Sequence, residues 1–332
     1  MGRSLPPGLM IKAGKWVWST MWQVMMSQMA PRSASGAYVR PESHFRHWIG
    51  ETDFPAAAGR YCLIVGTGCP WAHRTLVTRV LKGLEEAIAL VRVYPSPDQG
   101  MWVMEQPFAH CRTLPELYQN AQPGYTGRCT VPALWDRQRQ AIVNNESAEI
   151  IVMLNGEFND IAQHPDMDLY PDELKPAIDG WNDKIYATVN NGVYRCGFAQ
   201  TQAAYDQACD GLFATLDGID RELAHQRYLC GDRVTLADVR LFTTLFRFDV
   251  VYYSLFKCNR RRIQDYDHLG AYLRDLYQLP GVAETCDLEA VKRDYYGNLF
   301  PLNPGGIIPS GPDLESLKAA HGRSQIGAQM GA

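Results

Sequence analysis

The stretch "YCLIVGTGCPWAHRT", Tyr61 to Thr75, constrains what this chain can fold into more than any other. Tyr61 to Val65 is a short apolar run closed by Gly-Thr-Gly, the pattern of a buried strand that ends in a tight turn. Trp71, Leu76, Val80 and Leu84 then recur at helical spacing, which predicts a helix running to Gly83. Ala87 to Tyr94, "AIALVRVY", reads as a second strand. Strand, helix and strand in that order favour a parallel pair joined by a right-handed crossover. With Pro70 at the first helical position, where a missing N–H costs nothing, Cys69 becomes the residue that caps the helix.

The segment from Pro95 to Gly127 is rich in Pro, Gly and Gln and reads as a long excursion with at most one short helix. "VPALWD" (131 to 136), the polar turn "RQRQ" and "AIVN" (141 to 144) predict an antiparallel hairpin, and "ESAEIIVMLNGEF" predicts a helix with Ser147 near its start. This order is the thioredoxin-type plan, in which a cis Val131-Pro132 bond accounts for a proline inside an apparent strand. After "QHPDMDLYPDELKPA" strand signals disappear. Tyr205, Ala208, Leu212, Leu216, Ile219 and Leu223 step by three and four, and Thr235 and Asp238 stand at capping-box spacing before the apolar run "TLADVRLFTTLF". The expected fold is therefore α/β followed by all-α. Its parts are an N-terminal arm (1–54), a thioredoxin-like domain (55–160), an all-helical domain (161–310) and a flexible tail (311–332) that wraps or frays.

Composition removes several function classes. Lys and Arg total 32 against 36 acidic residues, so no basic excess argues for nucleic acid. The basic cluster "KCNRRR" (257 to 262) reads as a solvated loop gripping an anionic neighbour. Nine cysteines, an odd number without a Cys-x-x-Cys pair, speak against a disulfide framework and for a reducing, cytoplasmic setting. No His-x-x-x-His or Cys-x-x-Cys ligand pair supports a structural metal. The Met- and Trp-rich start is interrupted by Ser19, Thr20, Gln23, Ser27 and Gln28 and is too polar and too short to span a membrane. A signal peptide is the lesser reading, since Lys12 and Lys15 precede an apolar stretch. An arm lying on the folded body is the preferred one.

A thiol reacts as its thiolate, and a helix N-terminus offers Cys69 unpaired N–H groups and the positive end of the helix dipole. On that ground Cys69 is expected to be largely ionised at neutral pH. The position of a second redox cysteine is Ala72, so any disulfide Cys69 makes must be with another molecule, resolved by an external thiol. The alternative is a buried structural cysteine that happens to precede proline. His73, four residues on, reads as a packing or hydrogen-bonding residue ahead of a general base.

The motifs "CPWAHRT", "RCTVPALWD", "NNESAEI", "RFDVVYYSLFKCN" and "DYYGNLFPLNP" together resemble the Xi-class glutathione transferases, the glutathionyl-hydroquinone reductases, over about residues 35 to 310. The resemblance implies a thioredoxin-like domain that binds glutathione and a helical domain that completes the substrate pocket. It implies that Val131 pairs through its backbone with the cysteinyl part of glutathione. Glu146 and Ser147 would hold the γ-glutamyl ammonium and carboxylate, while Trp102 packs against the tripeptide and Arg128 charge-pairs with it. Tyr194, Tyr253 and Tyr296 match positions near the electrophile, and their neighbours Tyr252 and Tyr295 leave the choice within each pair open.

The activity implied is glutathione-dependent reduction of glutathionyl-hydroquinones by way of a Cys69-glutathione disulfide, with glutathione as co-substrate and no metal. The implied assembly is a homodimer. An omega-like thioltransferase or dehydroascorbate reductase using the same cysteine is the nearest rival, and a non-catalytic interaction module with an inert Cys69 is the rival from another class.

Overall fold

In the computed structural model, which describes residues 6–96 and 98–326, six strands form one sheet. They are β1 (Tyr61–Gly66), β2 (Ala89–Ser96), β3 (Met101–Phe108), β4 (Cys111–Thr113), β5 (Ala133–Asp136) and β6 (Ala141–Asn144), and they lie in the order β4-β3-β2-β1-β5-β6. The apolar run of β1 is buried along its whole length because it is central: Leu63 pairs in parallel with Leu90 and antiparallel with Leu134. Helix α1 is Pro7–Met29, α2 is Pro70–Leu81, α3 is Leu114–Ala121 and α4 is Ser147–Gly156. The second half is helical, with α5 (Lys175–Ile185), α6 (Gly192–Gly197), α7 (Gln202–Glu222), α8 (Leu236–Arg247), α9 (Leu269–Tyr277) and α10 (Leu288–Asn298). Single π-helical turns, Tyr186–Asn190 and Phe248–Tyr252, follow α5 and α8.

Two cores result, one under the sheet and one among the helices, and α2 serves both. Its Ala72 and Leu76 pack with the sheet core, and its Val77 and Leu81 pack with the helical core. The expected α/β plus all-α architecture is therefore present, with the cysteine-capped helix at the seam between its halves.

Two expectations are corrected. The segment after Pro95 is an excursion with its own ladder: β3 pairs with β2 and β4, and α3 follows behind a complete capping box of Thr113 and Glu116. Four of the eight residues of β3 are exposed and only Met104 is buried, so its sequence carries no alternating pattern to read. The arm does not lie wholly on the body, because residues 6–21 of the chain are exposed on every side and burial begins only near Met26 and Ala30. The tail wraps as far as it is described: Arg323 is buried and donates to the carbonyls of Leu223, Gln226 and Arg227. The basic loop behaves as expected, with Arg260 paired to Asp210 and Arg262 to Asp265.

The capping box of α8 ties the helical half together. The buried Asp238 carboxylate accepts the N–H groups of Thr235 (2.8 Å) and Leu229 (2.9 Å) and the hydroxyls of Thr235 (2.9 Å) and Tyr272 (2.7 Å). Asp238→Ala leaves these donors buried without a partner and is expected to cost about 4 kcal/mol of stability. Chemical denaturation measures this. A loss no larger than that of an ordinary exposed helix cap, about 1 kcal/mol, would show that the box is not the tie described here.

Candidate active site

Cys69 follows the turn Gly66-Thr67-Gly68 and caps α2 in an extended conformation (φ −77°, ψ 121°). Its thiol donates to the carbonyl of Val131 at 3.6 Å, next to the cis Val131-Pro132 bond. The two glycines of the turn are close-approach positions. A β-carbon at Gly66 would strike the ring of Trp102, and one at Gly68 would strike the carboxylate of Asp294.

The expected ionisation of Cys69 is corrected by its surroundings. Burial is the largest influence and pushes the thiol above its ordinary value. The N–H groups of Ala72 and Trp71 oppose that rise, as do the guanidinium charges of Arg247 and Arg40. The helix N-terminus acts as foreseen but does not outweigh desolvation. Because only the thiolate alkylates, the rate at Cys69 is expected to climb about tenfold per pH unit through neutrality and to reach its half-maximum at a higher pH than an ordinary free thiol does. Mass spectrometry of the Cys69 peptide after iodoacetamide pulses measures this, and a plateau already complete at pH 7 contradicts it.

Behind the turn sits Arg247, the last residue of α8, only 1% exposed. Its Nε donates to the carbonyl of Gly68, its Nη2 to that of Thr67 and its Nη1 to that of Thr243 and to His73 Nδ1, each at 2.9 Å. All four acceptors are uncharged, so the cation's field is directed at the cysteine turn. His73 accepts at Nδ1, which leaves its Nε2 proton to be donated to Thr285 Oγ1 at 2.9 Å. Burial and the Arg247 charge hold its pKa well below the ordinary histidine value. With both ring nitrogens engaged in the core, His73 is the hydrogen-bonding residue the sequence suggested and no general base.

A cavity of about 410 Å³ opens onto Cys69, lined also by Trp102, Arg128, Tyr194, Asp294 and Tyr295. The hydroxyls of Tyr194 and Tyr295 are 2.6 Å apart, and those of Tyr295 and Tyr252 are 3.0 Å apart. Burial raises all three phenols, so they remain neutral hydrogen-bond donors at ordinary pH. Within each doublet the structure brings Tyr252 and Tyr295 to this cluster. Tyr253 and Tyr296 do not line the cavity, and the Tyr296 hydroxyl instead donates to the carbonyl of Val250 at 2.9 Å and meets Ser254. The choice follows helical phase: in α10 successive side chains point about 100° apart, and in the wider π turn after α8 they diverge by somewhat less. Asp294, one residue before Tyr295, has its carboxyl raised to about 6 by burial.

Beside the cavity runs a narrow cleft lined by Arg40, Trp71, Arg128, Val131, Glu146 and Ser147. Glu146 caps α4 by accepting the N–H of Ala148 at 3.0 Å and also accepts the Ser43 hydroxyl at 3.0 Å. Ser147 Oγ accepts from the buried Arg74 at 3.3 Å. The guanidinium of Arg40 lies 3.9 Å from the centre of the Trp71 ring. Two cations, a carboxylate and a helix N-terminus thus line a slot that shares Arg40 and Arg128 with the cavity and includes Val131, whose carbonyl accepts the Cys69 thiol. Such a slot matches a short peptide carrying both an ammonium and a carboxylate. Among the described residues no group of three or more His, Cys, Asp or Glu side chains is arranged to hold a metal ion.

Sequence reasoning missed Arg40, Arg247 and Asp294. Arg247 did carry a signal, as a lone cation closing the otherwise apolar stretch "LFTTLFRF". Asp294 opens the motif "DYYGNLFPLNP" but was not singled out within it, and Arg40 carried no signal, since it reaches the site from the N-terminal arm.

A cysteine-capped helix on a thioredoxin-like sheet, roofed by a helical domain, defines the glutathione transferase class. The family model "Glutathione S-transferase, N-terminal domain" matches residues 68–157, and "Glutathione S-transferase, C-terminal domain" matches residues 202–275. Glutathionyl-hydroquinone reductase YqjG of Escherichia coli is 42% identical over 92% of this chain and 96% of its own. Its glutathione-bound structure superposes with a TM-score of 0.80, covering 84% of this chain and 96% of that one. Glutathionyl-hydroquinone reductase PcpF of Sphingobium chlorophenolicum is 44% identical over 89% of this chain and 94% of its own. The Xi-class enzyme of Natrialba magadii is 44% identical with a TM-score of 0.82, covering 88% of this chain and 96% of that one. The chain belongs to the Xi-class glutathione transferases, the family of the glutathionyl-hydroquinone reductases.

Proposed function

We propose that the protein reduces glutathionyl-hydroquinones to hydroquinones through a Cys69-glutathione disulfide. The observation that carries this reading is the meeting of one thiol with Tyr194 and Tyr295 at a single cavity beside a peptide-sized slot, their hydroxyl chain continued behind the wall by the buried Tyr252. The names of the two reductases reported above and the glutathione-bound relative support it.

The cycle balances with glutathione alone. Cys69 sulfur attacks the thioether sulfur of the conjugate, an S–S bond forms, and the carbon–sulfur bond breaks with its electron pair going to the ring carbon. That carbon gains one proton and Cys69 has lost one, so the protonated resting thiol supplies what the product needs. Tyr194 and Tyr295, backed by Tyr252, are positioned to pass the proton and to hydrogen-bond the quinol oxygens. A second glutathione then attacks the mixed disulfide, returns a proton to Cys69 and leaves as oxidised glutathione.

In this reading Val131 pairs with the cysteinyl backbone, Glu146 and Ser147 hold the γ-glutamyl end, and Trp102 and Arg128 close over the tripeptide. The tyrosine roles first assigned to Tyr253 and Tyr296 pass to Tyr252 and Tyr295. We further read the protein as a cytoplasmic homodimer, the usual two-fold solution for such folds.

The omega-like thioltransferase reading shares Cys69 but has no use for the phenol chain. Turnover on a glutathionyl-hydroquinone against turnover on a simple glutathione mixed disulfide separates the two. Preference for the first, with one glutathionyl group trapped on Cys69 when the second glutathione is withheld, is the expected result. Preference for the mixed disulfide, or an unmodified Cys69, would overturn it.

A further inference from the structure

We propose that helix α1 is an interfacial anchor that docks this protein onto anionic lipid surfaces. The helix is 23 residues long and contains two lysines and no acidic residue, in a chain whose net charge is −4. From Pro7 to Met21 it stands clear of the body with every residue exposed, a projection of about 22 Å. Trp16 is 71% exposed, and Leu9, Met10, Ile11, Val17, Trp18, Met21 and Val24 are exposed with it.

The arrangement around the helix identifies the partner. Lys12, Lys15, Ser19 and Gln23 follow one another at spacings of three, four and four, so they form a single polar stripe. Met10, Val17, Met21 and Val24 face the opposite way, and Trp16 and Trp18 flank the stripe on its two sides. Interrupted only by Thr20, whose hydroxyl donates back to the carbonyl of Trp16 at 2.9 Å, the apolar arc covers more than half of the circumference, wider than the seam a single partner helix fills. A lipid surface solvates such an arc, takes indole rings at the headgroup level and attracts the unpaired lysines. No helix among the described residues is long and apolar enough to cross a membrane, so α1 lies on the surface and does not span it.

The docking has a consequence for the site. Met26 and Ala30 anchor the end of α1 in the helical core, and Met29 lines the cavity that holds Cys69. A bound α1 would therefore hold the cavity close to the lipid surface. This proposal stands on α1 alone and is independent of the reductase reading.

The test is co-sedimentation of the full chain with phosphatidylcholine vesicles with and without one quarter phosphatidylglycerol, alongside tryptophan emission and solution molar mass. Binding only to the anionic vesicles, with a blue shift in emission, is expected. The double substitution Lys12→Gln/Lys15→Gln is expected to weaken binding about 30-fold. Trp16→Ser/Trp18→Ser is expected to abolish the blue shift, and both variants should keep full turnover on a water-soluble glutathionyl-hydroquinone. Equal binding to both vesicle types, or none to either, would overturn the proposal. So would a halved molar mass in the tryptophan variant with vesicle binding intact, which would assign the face to a second copy of the chain.

Discussion

Cys69→Ser is expected to lower kcat/KM for glutathionyl-hydroquinone reduction by about 10⁴-fold or more. Among the described residues that line the cavity, this thiol alone can accept the glutathione sulfur and later release it, because an S–S bond is reversible at modest cost and a serine hydroxyl forms no equivalent. Serine keeps the volume and the helix-capping position, so fold and glutathione binding should survive, and the loss should appear in kcat. Steady-state kinetics with a thermal melt on the same sample makes the measurement. A serine variant that turns over near the parent rate would remove Cys69 from the chemistry and the proposed cycle with it.

The second large effect is expected at Arg247. Arg247→Met removes a buried cation and leaves the carbonyls of Thr67, Gly68 and Thr243 and the Nδ1 of His73 without their donor. The cysteine turn then loses its support from the helical domain, and kcat/KM is expected to fall by about 10²- to 10³-fold. Arg247 touches no substrate in this account and is a positioning residue, so activity alone does not test it. The charge also lowers the Cys69 pKa against burial, so in Arg247→Met the alkylation profile should move to still higher pH. Arg247→Lys should restore most of that profile while recovering little turnover, since one ammonium cannot reach four acceptors with the planar fork's geometry. An unmoved alkylation profile in a folded Arg247→Met would reduce the residue to a structural tie.

Legibility in the sequence varied with the range of the physics involved. The run "YCLIV", the Gly-Thr-Gly turn and Cys-Pro located β1, the turn and the start of α2 within a residue, because local conformational preference decides each. The hairpin of β5 and β6 and the capping boxes of α3 and α8 are local in the same way, although only the one at Thr235 and Asp238 was read beforehand. The exposed strand β3 escaped notice, since a strand with little burial shows no period of two. The choice of Tyr252 over Tyr253 and Tyr295 over Tyr296 also lay outside a linear reading. Neighbours in a helix have the same composition and differ only in phase relative to a partner that arrives from elsewhere.

By itself, the order of residues settled which cysteine is set apart, what kind of helix end it caps and that no second thiol stands ready within the same turn. Those are contacts between near neighbours along the chain. Folding alone decided how charged that sulfur is, because its ionisation balances burial by both domains against Trp71 and Ala72 amides, Arg247 from α8 and Arg40 from the arm. Such a balance is a sum over distances in space, and distances between remote segments exist only once the chain has closed.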